Sequence, residues 1–251
     1  MIIQLTVDGQ IRSVDLDKPL DLSIPMESGS RNPRAWMDEN PQIAPVVSEQ
    51  WEGSVASGAS VNFNNIWFNP HAHGTHTECL GHITEKVSSV NRALDRYFFL
   101  ATVITVAPEG KKGDKVISAR QLRNLLKGST NPAVVIRTLP NIASKKRTKY
   151  QGTNWPYLEA TAAKYLREKG VEHLLIDLPS VDKERDKGKL AAHKAFWGLP
   201  DNPRQKATIT EFIYVSNRIA DGIYLLELQT APFVNDATPS RPLLYRLQTS
   251  G

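Results

Sequence analysis

The most informative feature of this sequence is a cluster of histidines between Asn69 and His82. The segment reads Asn-Pro-His-Ala-His-Gly-Thr-His-Thr-Glu-Cys-Leu-Gly-His and holds four of the six histidines of the chain, together with Glu78. Imidazole nitrogens and carboxylate oxygens are the ligands that bind Zn²⁺, Mn²⁺ or Fe²⁺ at catalytic sites. Gly74 permits a tight turn that aims several side chains at one point. A histidine-rich surface loop is the alternative, but such clustering favours a metal site.

Cys79 lies inside this cluster and is the single cysteine of the chain, so no internal disulfide forms and a reducing compartment is compatible. Its thiol could be a nucleophile or could pack in a turn. We favour packing, because water activated by a metal ion already supplies a nucleophile at a site with these ligands.

The composition is that of an ordinary globular protein, with 251 residues, 40% hydrophobic and 23% charged. The net charge is +5, but basic and acidic residues alternate along most of the chain. The one basic run, residues 145–149, is predicted to be a solvated loop, and no nucleic-acid partner is expected. The chain has no long apolar run, and its start does not resemble a signal peptide. These features predict a cytoplasmic protein without a membrane partner.

The chain opens with a pattern typical of an antiparallel pair of strands. Ile3, Leu5 and Val7 alternate with polar residues before the turn signal Asp8-Gly9. Residues 21–58 are rich in Pro, Ser and Asn and form a long loop, which is typical of a lid or a binding element. Trp36 in this loop either lines a substrate pocket or packs beneath the loop.

The rest of the sequence alternates apolar strands with amphipathic helices. Ser118 and Gln121 form a capping box for one helix, which Gly128 ends, and Pro156 is predicted to begin another, which Gly170 ends. The predicted strands are residues 98–107, 133–136, 173–177, 212–215, 223–229 and 243–247. Strands linked by helices favour a parallel βαβ arrangement. We therefore predict an α/β fold, a single domain over residues 1–251 with a central mixed β-sheet covered by helices.

Two known families resemble the histidine cluster. His71-Ala72-His73 followed by Glu78 is similar to the first half of a cupin metal motif, although Asn65 stands where that motif has glycine. Cupins are all-β barrels, and the two capped helices predicted here do not fit a barrel. The cupin resemblance is therefore short, and it serves as the alternative.

The second resemblance is to the cyclase-like metal hydrolases, the family of bacterial kynurenine formamidase (arylformamidase) and isatin hydrolase. The family signature is His-x-Gly-Thr-His-x-Asp-x-Pro-x-His, and residues 74–82 reproduce its frame. Further segments match in the same order along nearly the whole chain: Asp21-Leu22-Ser23, Val135-Ile136-Arg137-Thr138, Asp177-Leu178-Pro179-Ser180-Val181-Asp182, and then His193 and Glu211. This resemblance implies a swivelling β/β/α fold, a small-molecule substrate and a homodimer.

The resemblance also implies a role for each matching residue. His76, His193 and Glu211 correspond to metal ligands, and Glu78 corresponds to the carboxylate that binds or bridges metal. His82 corresponds to the catalytic histidine. Four residues of this segment bear on the pocket: Glu78 replaces Asp, Leu80 replaces Pro, and Cys79 and Gly81 change the wall beside His82. The substrate therefore need not be N-formylkynurenine.

The first ligand of the motif is ambiguous in this chain. The family has one residue between its first histidine and the glycine, whereas His71 is separated from Gly74 by Ala72 and His73. The residue that directly precedes the glycine is not a ligand in the family. We therefore predict His71, through a one-residue insertion, with His73 as the alternative.

The predicted function is a metal-dependent hydrolase that cleaves an amide, of the aryl formamide or cyclic amide type, or an ester. One or two divalent ions, Zn²⁺ or Mn²⁺, would activate water, and His82 would act as general acid and base. His82 could instead only orient a ligand. The alternative function is a cupin-like or non-catalytic metal-dependent protein that binds a small ligand.

Overall fold

The computed structural model describes residues 1–86, 88–127 and 131–249. Its α-helices are α1 Val90–Ala93, α2 Ala119–Leu126, α3 Ala160–Glu168 and α4 Ala191–Trp197, and its 3₁₀ helices are Val55–Ser57, Leu80–Ile83 and Ala143–Arg147. Its strands are β1 Ile2–Val7, β2 Gln10–Asp15, β3 Leu20–Asp21, β4 Gln42–Pro45, β5 Val47–Ser48, β6 Trp51–Glu52, β7 Asn64–Trp67, β8 His76–Cys79, β9 Phe98–Val106, β10 Glu109–Lys111, β11 Asp114–Ile117, β12 Ala133–Thr138, β13 Tyr157–Leu158, β14 His173–Ile176, β15 Thr208–Glu211, β16 Gly222–Glu227, β17 Ala237–Pro239, β18 Leu243–Arg246 and β19 Gln248–Thr249.

Within the described residues, nine strands form one mixed sheet in the order β17-β8-β15-β14-β12-β9-β16-β18-β3. The four central strands, β15, β14, β12 and β9, are parallel. The strands on both sides pair antiparallel. This arrangement confirms the predicted α/β fold with a mixed sheet and excludes the all-β cupin barrel.

The central strands are buried on both faces, and successive side chains enter two different cores. In β12, Val134 and Ile136 pack in a core that includes Leu122, Leu166 and Phe196 from α2, α3 and α4. The alternating residues of the same strand, Ala133 and Val135, pack in the opposite core. The three longer helices therefore cover one face of the sheet, while strands and loops cover the other.

The N-terminal hairpin and the Ser118 capping box form as the sequence predicts. Strands β1 and β2 pair antiparallel through Asp8 and Gly9, which both have positive φ. The side chains of Ser118 and Gln121 cap α2 reciprocally. Gly128, the predicted end of this helix, lies outside the described residues.

The predicted loop of residues 21–58 contains the short strands β4, β5 and β6. Two other predicted elements also differ from the structure. The helix predicted from Pro156 begins at Ala160, because Tyr157 and Leu158 first pair with β11 in a short parallel strand. The strand predicted at residues 212–215 was wrong, since β15 precedes it and ends at Glu211. Phe212 has φ 53° and leaves the extended conformation.

The first three residues of the basic run lie in the 3₁₀ helix Ala143–Arg147, and the prediction that the run is solvated was wrong for Lys145. The ammonium group of Lys145 lies 2.8 Å from Asp177 Oδ2 and donates to the carbonyl oxygen of Thr138 at 2.6 Å. Asp177 is fully buried, so this pair links β12 to β14 and serves the fold. Among the described residues, no helix combines the length and apolarity that crossing a bilayer requires.

Candidate metal centre

The centre of the site is strand β8, which places His76 and Glu78 two residues apart and therefore on one side of the strand. Both side chains are fully buried. The antiparallel partner β15 brings Glu211 directly opposite His76. His76 Nε2 lies 3.5 Å from Glu211 Oε2, and the backbone N–H of Val181 donates to Glu211 Oε1 at 2.8 Å. Residues separated by more than 130 positions in the sequence thus meet through one strand pair.

His193 enters the site from α4, and Asp182 fixes its orientation. Its Nε2 lies 2.9 Å from Glu78 Oε1 and 3.8 Å from Glu211 Oε1. Its Nδ1 lies 2.6 Å from Asp182 Oδ2. Asp182 also accepts hydrogen bonds from the backbone N–H groups of Ala192 and His193 at the start of the helix. Asp182 therefore holds the ring with Nε2 facing the two glutamates.

The two candidates for the first ligand occupy different positions. His71 Nδ1 lies 3.1 Å from Glu78 Oε2, and its ring centroid is 5.3 Å from that of His76. Both ring nitrogens of His73 are instead engaged by backbone groups, the N–H of Asn69 and the carbonyl oxygen of Glu39. The geometry favours His71 over His73, because only His71 has a ring nitrogen beside the buried carboxylate.

His82 lies in the 3₁₀ helix Leu80–Ile83 that follows β8, and it stacks on His71, with ring centroids 4.1 Å apart. Its Nε2 lies 3.7 Å from Glu78 Oε2, and its Nδ1 lies 3.3 Å from Asp236 Oδ2. Gly81 makes this turn possible, because a Cβ at that position would lie 2.2 Å from the carbonyl oxygen of Ser88. About 29% of the His82 side chain is exposed, whereas Glu78 is inaccessible, so His82 borders the opening of the site.

Two buried polar atoms in this cluster lack a hydrogen bond, namely His76 Nε2 and Glu78 Oε2. His71 Nδ1 is close to Glu78 Oε2, yet no hydrogen bond of acceptable geometry joins them. Burying a donor or acceptor without a partner lowers the stability of the fold, unless an ion or ligand binds to that atom. The ligand-type atoms of His71, His76 and Glu78 lie within 4.8 Å of one another, as do those of Glu78, His82 and His193. These residues fit a divalent ion, and Glu78 belongs to both of these groups, while a third group consists of His71, His82 and Asp236.

The electrostatics of the site couple its carboxylates to its imidazoles. Burial disfavours a charged Glu78, but the nearby His82 and His193 outweigh burial and lower the pKa of Glu78 well below its usual value. Burial likewise disfavours a charged His193, yet Glu78 and Asp182 raise its pKa well above 6.5. In His71, contacts with Asp236 and Glu78 overcome burial and raise the pKa to about 10. Protons on the histidines thus balance the negative charge of the carboxylates. A bound cation would displace these protons.

The cluster borders a cavity of about 390 Å³. Trp36 and Met37 from the long N-terminal loop form one side, and His71, His82, His193 and Glu211 are among the other lining residues. Trp36 contacts Trp155 edge-on, with ring centroids 5.4 Å apart, and 46% of Trp36 is exposed. The residue therefore lines the pocket and also packs, so both interpretations of Trp36 hold in part.

Cys79 faces away from this cluster. It is fully buried against Val90 and Ala93, and its thiol donates to the carbonyl oxygen of Ser88 at 3.4 Å. Burial raises the pKa of the Cys79 thiol, which disfavours the thiolate. These observations agree with a packing role.

Sequence reasoning missed Asp236 as a residue of the site. Its carboxylate contacts both His71 and His82, although it lies about 160 residues further along the chain. No motif surrounds it, and the short strand β17 that positions it was not predicted. Asp182 was part of a matching segment, but its contact with His193 needed the structure.

The sequence profile of the family described as "Putative cyclase" matches residues 20–183, which is more than half of the chain. The chain belongs to the cyclase family. The matched range contains β8, His71, His82 and Asp182, whereas His193, Glu211 and Asp236 follow it. Comparison with curated proteins found no match.

Several solved structures share the fold. A potential metal-dependent hydrolase with cyclase activity superimposes with a TM-score of 0.66 at 16% identity, covering 91% of this chain and 97% of the other. A predicted metal-dependent hydrolase from Bacillus stearothermophilus gives 0.63 at 16% identity, with 91% and 98% coverage. Isatin hydrolase A from Labrenzia aggregata gives 0.64 at 14% identity, with 93% and 94% coverage. At these identities the similarity concerns the fold.

Proposed function

We propose that this cyclase-family protein is a metal-dependent hydrolase whose site is centred on Glu78. The observation that carries the proposal is the convergence of two buried atoms without hydrogen bonds, His76 Nε2 and Glu78 Oε2, beside His71, His193 and Glu211. The proposed metal ligands are His71, His76, Glu78, His193 and Glu211. The metal-dependent hydrolases among the structures of the same fold support this class of function.

The two oxygens of Glu78 face two different sets of histidines. Oε2 lies on the side of His71 and His82, and Oε1 lies on the side of His193. Glutamate, one methylene longer than the family's aspartate, thus reaches both sets from a single strand. We infer that Glu78 would be a ligand to one divalent ion or to two. Imidazole and carboxylate ligands suit Zn²⁺ and Mn²⁺ alike.

A divalent ion at this site would supply Lewis acidity and lower the pKa of water from about 15.7 towards 7. The remaining steps depend on the side chains of the chain itself. His82 borders the cavity, and Asp236 engages its Nδ1, which leaves Nε2 directed towards Glu78. We propose that His82 takes a proton from the attacking water and delivers it to the leaving nitrogen or oxygen. Such proton transfer typically contributes about 10²- to 10⁴-fold.

The substrate we propose is a small molecule with an amide, of the aryl formamide or cyclic amide type, or an ester. A cavity of about 390 Å³ with Trp36 at its wall suits a flat molecule of modest size. The isatin hydrolases of the same fold support testing isatin. A protein that only binds a ligand is the competing function, but a proton-transfer group such as His82 has no evident use in it. The homodimer and the cytoplasmic location remain predictions.

The experiment is a hydrolysis screen with protein loaded with Zn²⁺ or with Mn²⁺. The compounds are isatin, an aryl formamide and a simple aryl ester, and the matched control is Glu78→Gln, which nearly preserves side-chain volume but removes the charge. Turnover of at least one compound by the wild type, and its loss in Glu78→Gln, would support a hydrolase. Binding of these compounds without any turnover would instead support the ligand-binding alternative.

A further inference from the structure

One oxygen of Asp236 contacts two histidines of the candidate site at once. Asp236 Oδ2 lies 2.8 Å from His71 Nε2 and 3.3 Å from His82 Nδ1. The two rings stack with an interplanar angle of 26°, so their outer nitrogens are presented to the same carboxylate. The opposite nitrogens, His71 Nδ1 and His82 Nε2, lie 3.1 and 3.7 Å from Glu78 Oε2. Two carboxylates therefore enclose a pair of stacked imidazoles.

The backbone holds Asp236 firmly in this position. Asp236 immediately precedes β17, whose first residue, Ala237, pairs with Glu78. The backbone N–H of Cys79 donates to the carbonyl oxygen of Asp236 at 2.9 Å. The side chain of Asn235 also donates to the carbonyl oxygen of Ala237 at 2.9 Å. The carboxylate is thus fixed relative to the strand that carries His76 and Glu78.

We propose that Asp236 is a positioning residue that orients both His71 and His82, an inference that rests on the function proposed above. A carboxylate that accepts a hydrogen bond from one ring nitrogen of a histidine fixes the proton there and leaves the other nitrogen unprotonated. In His71 this directs Nδ1 towards Glu78 Oε2, where it would be available to an ion. In His82 it directs Nε2 towards the same oxygen of Glu78. The side chain of Asp236 thereby orients both a metal ligand, His71, and the proton-transfer group, His82.

The orientation of the two rings has measurable consequences. Loss of a carboxylate that orients a histidine ligand typically lowers metal affinity about 10- to 100-fold. Asp236→Ala is therefore expected to weaken binding of Zn²⁺ by about that factor. Asp236→Asn is expected to have a smaller effect, because its amide oxygen still accepts one hydrogen bond but carries no charge. The matched control is Asp15→Asn. Asp15 is the last residue of β2, and its half-buried carboxylate pairs with Lys18.

The test combines Zn²⁺ affinity, measured by competition with a chelator, with nitrogen-15 NMR of the histidine rings in the zinc-loaded protein. We expect wild type and Asp15→Asn to bind equally and to show single tautomers, protonated on Nε2 in His71 and on Nδ1 in His82. Asp236→Ala is expected to bind 10- to 100-fold more weakly and to show mixed tautomers of His82. If Asp236→Ala does not fold, the isosteric Asp236→Asn replaces it, with a smaller but measurable loss of Zn²⁺ affinity expected because one hydrogen bond is kept.

The outcomes separate this inference from the proposed function. A wild-type protein that fails to bind Zn²⁺ overturns the metal-dependent function itself. A wild type that binds Zn²⁺ normally, together with Asp236 variants of equal affinity and unchanged tautomers, overturns only the role of Asp236. Lower thermal stability with unchanged affinity and tautomers would also contradict a positioning role.

Discussion

Asp182 Oδ2 lies 2.6 Å from His193 Nδ1, and this contact directs the opposite nitrogen of the ring into the site. The same arrangement recurs at His76, whose Nδ1 faces the carbonyl oxygen of Gly74 at 3.0 Å. It recurs again at His71, whose Nε2 faces Asp236. Each imidazole thus has an outer nitrogen engaged by an oxygen and an inner nitrogen beside a buried glutamate. Outer contacts of this kind are typical of histidine metal ligands.

The first prediction is that metal binding depends on residues from both halves of the chain. His193→Ala and Glu211→Gln should each lower metal affinity by at least about tenfold, since each removes a side chain from the cluster around Glu78. Metal content by mass spectrometry of folded protein measures this. Glu227→Gln, whose carboxylate pairs with the Tyr245 hydroxyl, is the control. Full metal content in both site variants would confine the site to residues 71–82.

The second prediction concerns His82 and proton transfer. His82→Ala should retain metal and lose about 10²-fold or more in turnover, because its exposed position at the cavity suits proton transfer. Measurements of metal content and kcat on the same samples separate the two effects. Loss of the metal would make His82 a ligand, which its position near Glu78 and His193 also permits. Unchanged kcat would remove it from the mechanism.

Several central strands and the local cluster could be predicted from the sequence, whereas contacts across the sheet could not. Apolar runs predicted β9, β12 and β14, because strands buried on both faces need apolar residues throughout. The prediction missed β15, because it placed the corresponding strand four residues too late, at residues 212–215. Its sequence, Thr-Ile-Thr-Glu, contains two threonines that bury polar hydroxyls, and one of them bonds Thr77 at 2.8 Å. This hydrogen bond compensates for burying the hydroxyl. It depends on the partner strand β8, which the sequence does not indicate.

The residues of the candidate site also divide into those that the sequence predicts and those that depend on contacts across the sheet. His71, His76, Glu78 and His82 lie within twelve residues, so their density alone predicted a common site. His193 and Glu211 were predicted only through the family resemblance. Asp236 had no signal, because a lone aspartate in a turn resembles any surface carboxylate. Its role follows from pairing between β17 and β8, which is a long-range contact.

The third prediction is that Cys79 is not the nucleophile. Cys79→Ser should keep most of the turnover and its metal, because the thiol is buried on the side of β8 away from Glu78 and bonds the Ser88 carbonyl, which a serine hydroxyl can also do. Kinetics on the variant, with mass spectrometry for an acyl adduct on the wild type, measure this. A trapped thioester together with an inactive, metal-loaded Cys79→Ser protein would overturn the hydrolytic mechanism.

The fourth prediction is a pH-dependent contribution of His173 to stability. This buried side chain packs on Phe99, and burial, with Arg96 and Arg204 nearby, lowers its pKa from 6.5 to about 3. Between pH 6.5 and 3 the unfolded chain binds a proton that the folded chain does not, so stability falls as the pH falls. From pH 7 to pH 5 this amounts to about 2 kcal/mol.

Urea unfolding of wild type and His173→Gln at both pH values isolates this contribution, since other titrating groups are common to the two proteins. The wild type should lose about 2 kcal/mol more than the variant between pH 7 and pH 5. Equal losses would mean that His173 titrates normally in the folded protein.

The central claim is that hydrolysis depends on an ion bound around Glu78, and metal titration of turnover tests it most directly. The protein is stripped with a chelator and reloaded stepwise with Zn²⁺ or Mn²⁺, and bound metal and turnover of a substrate from the screen are measured on each sample. We predict that stripped protein is inactive and that turnover rises in proportion to metal bound, with Glu78→Gln inactive throughout. Full turnover by the stripped protein, or turnover independent of the metal bound, would contradict the account.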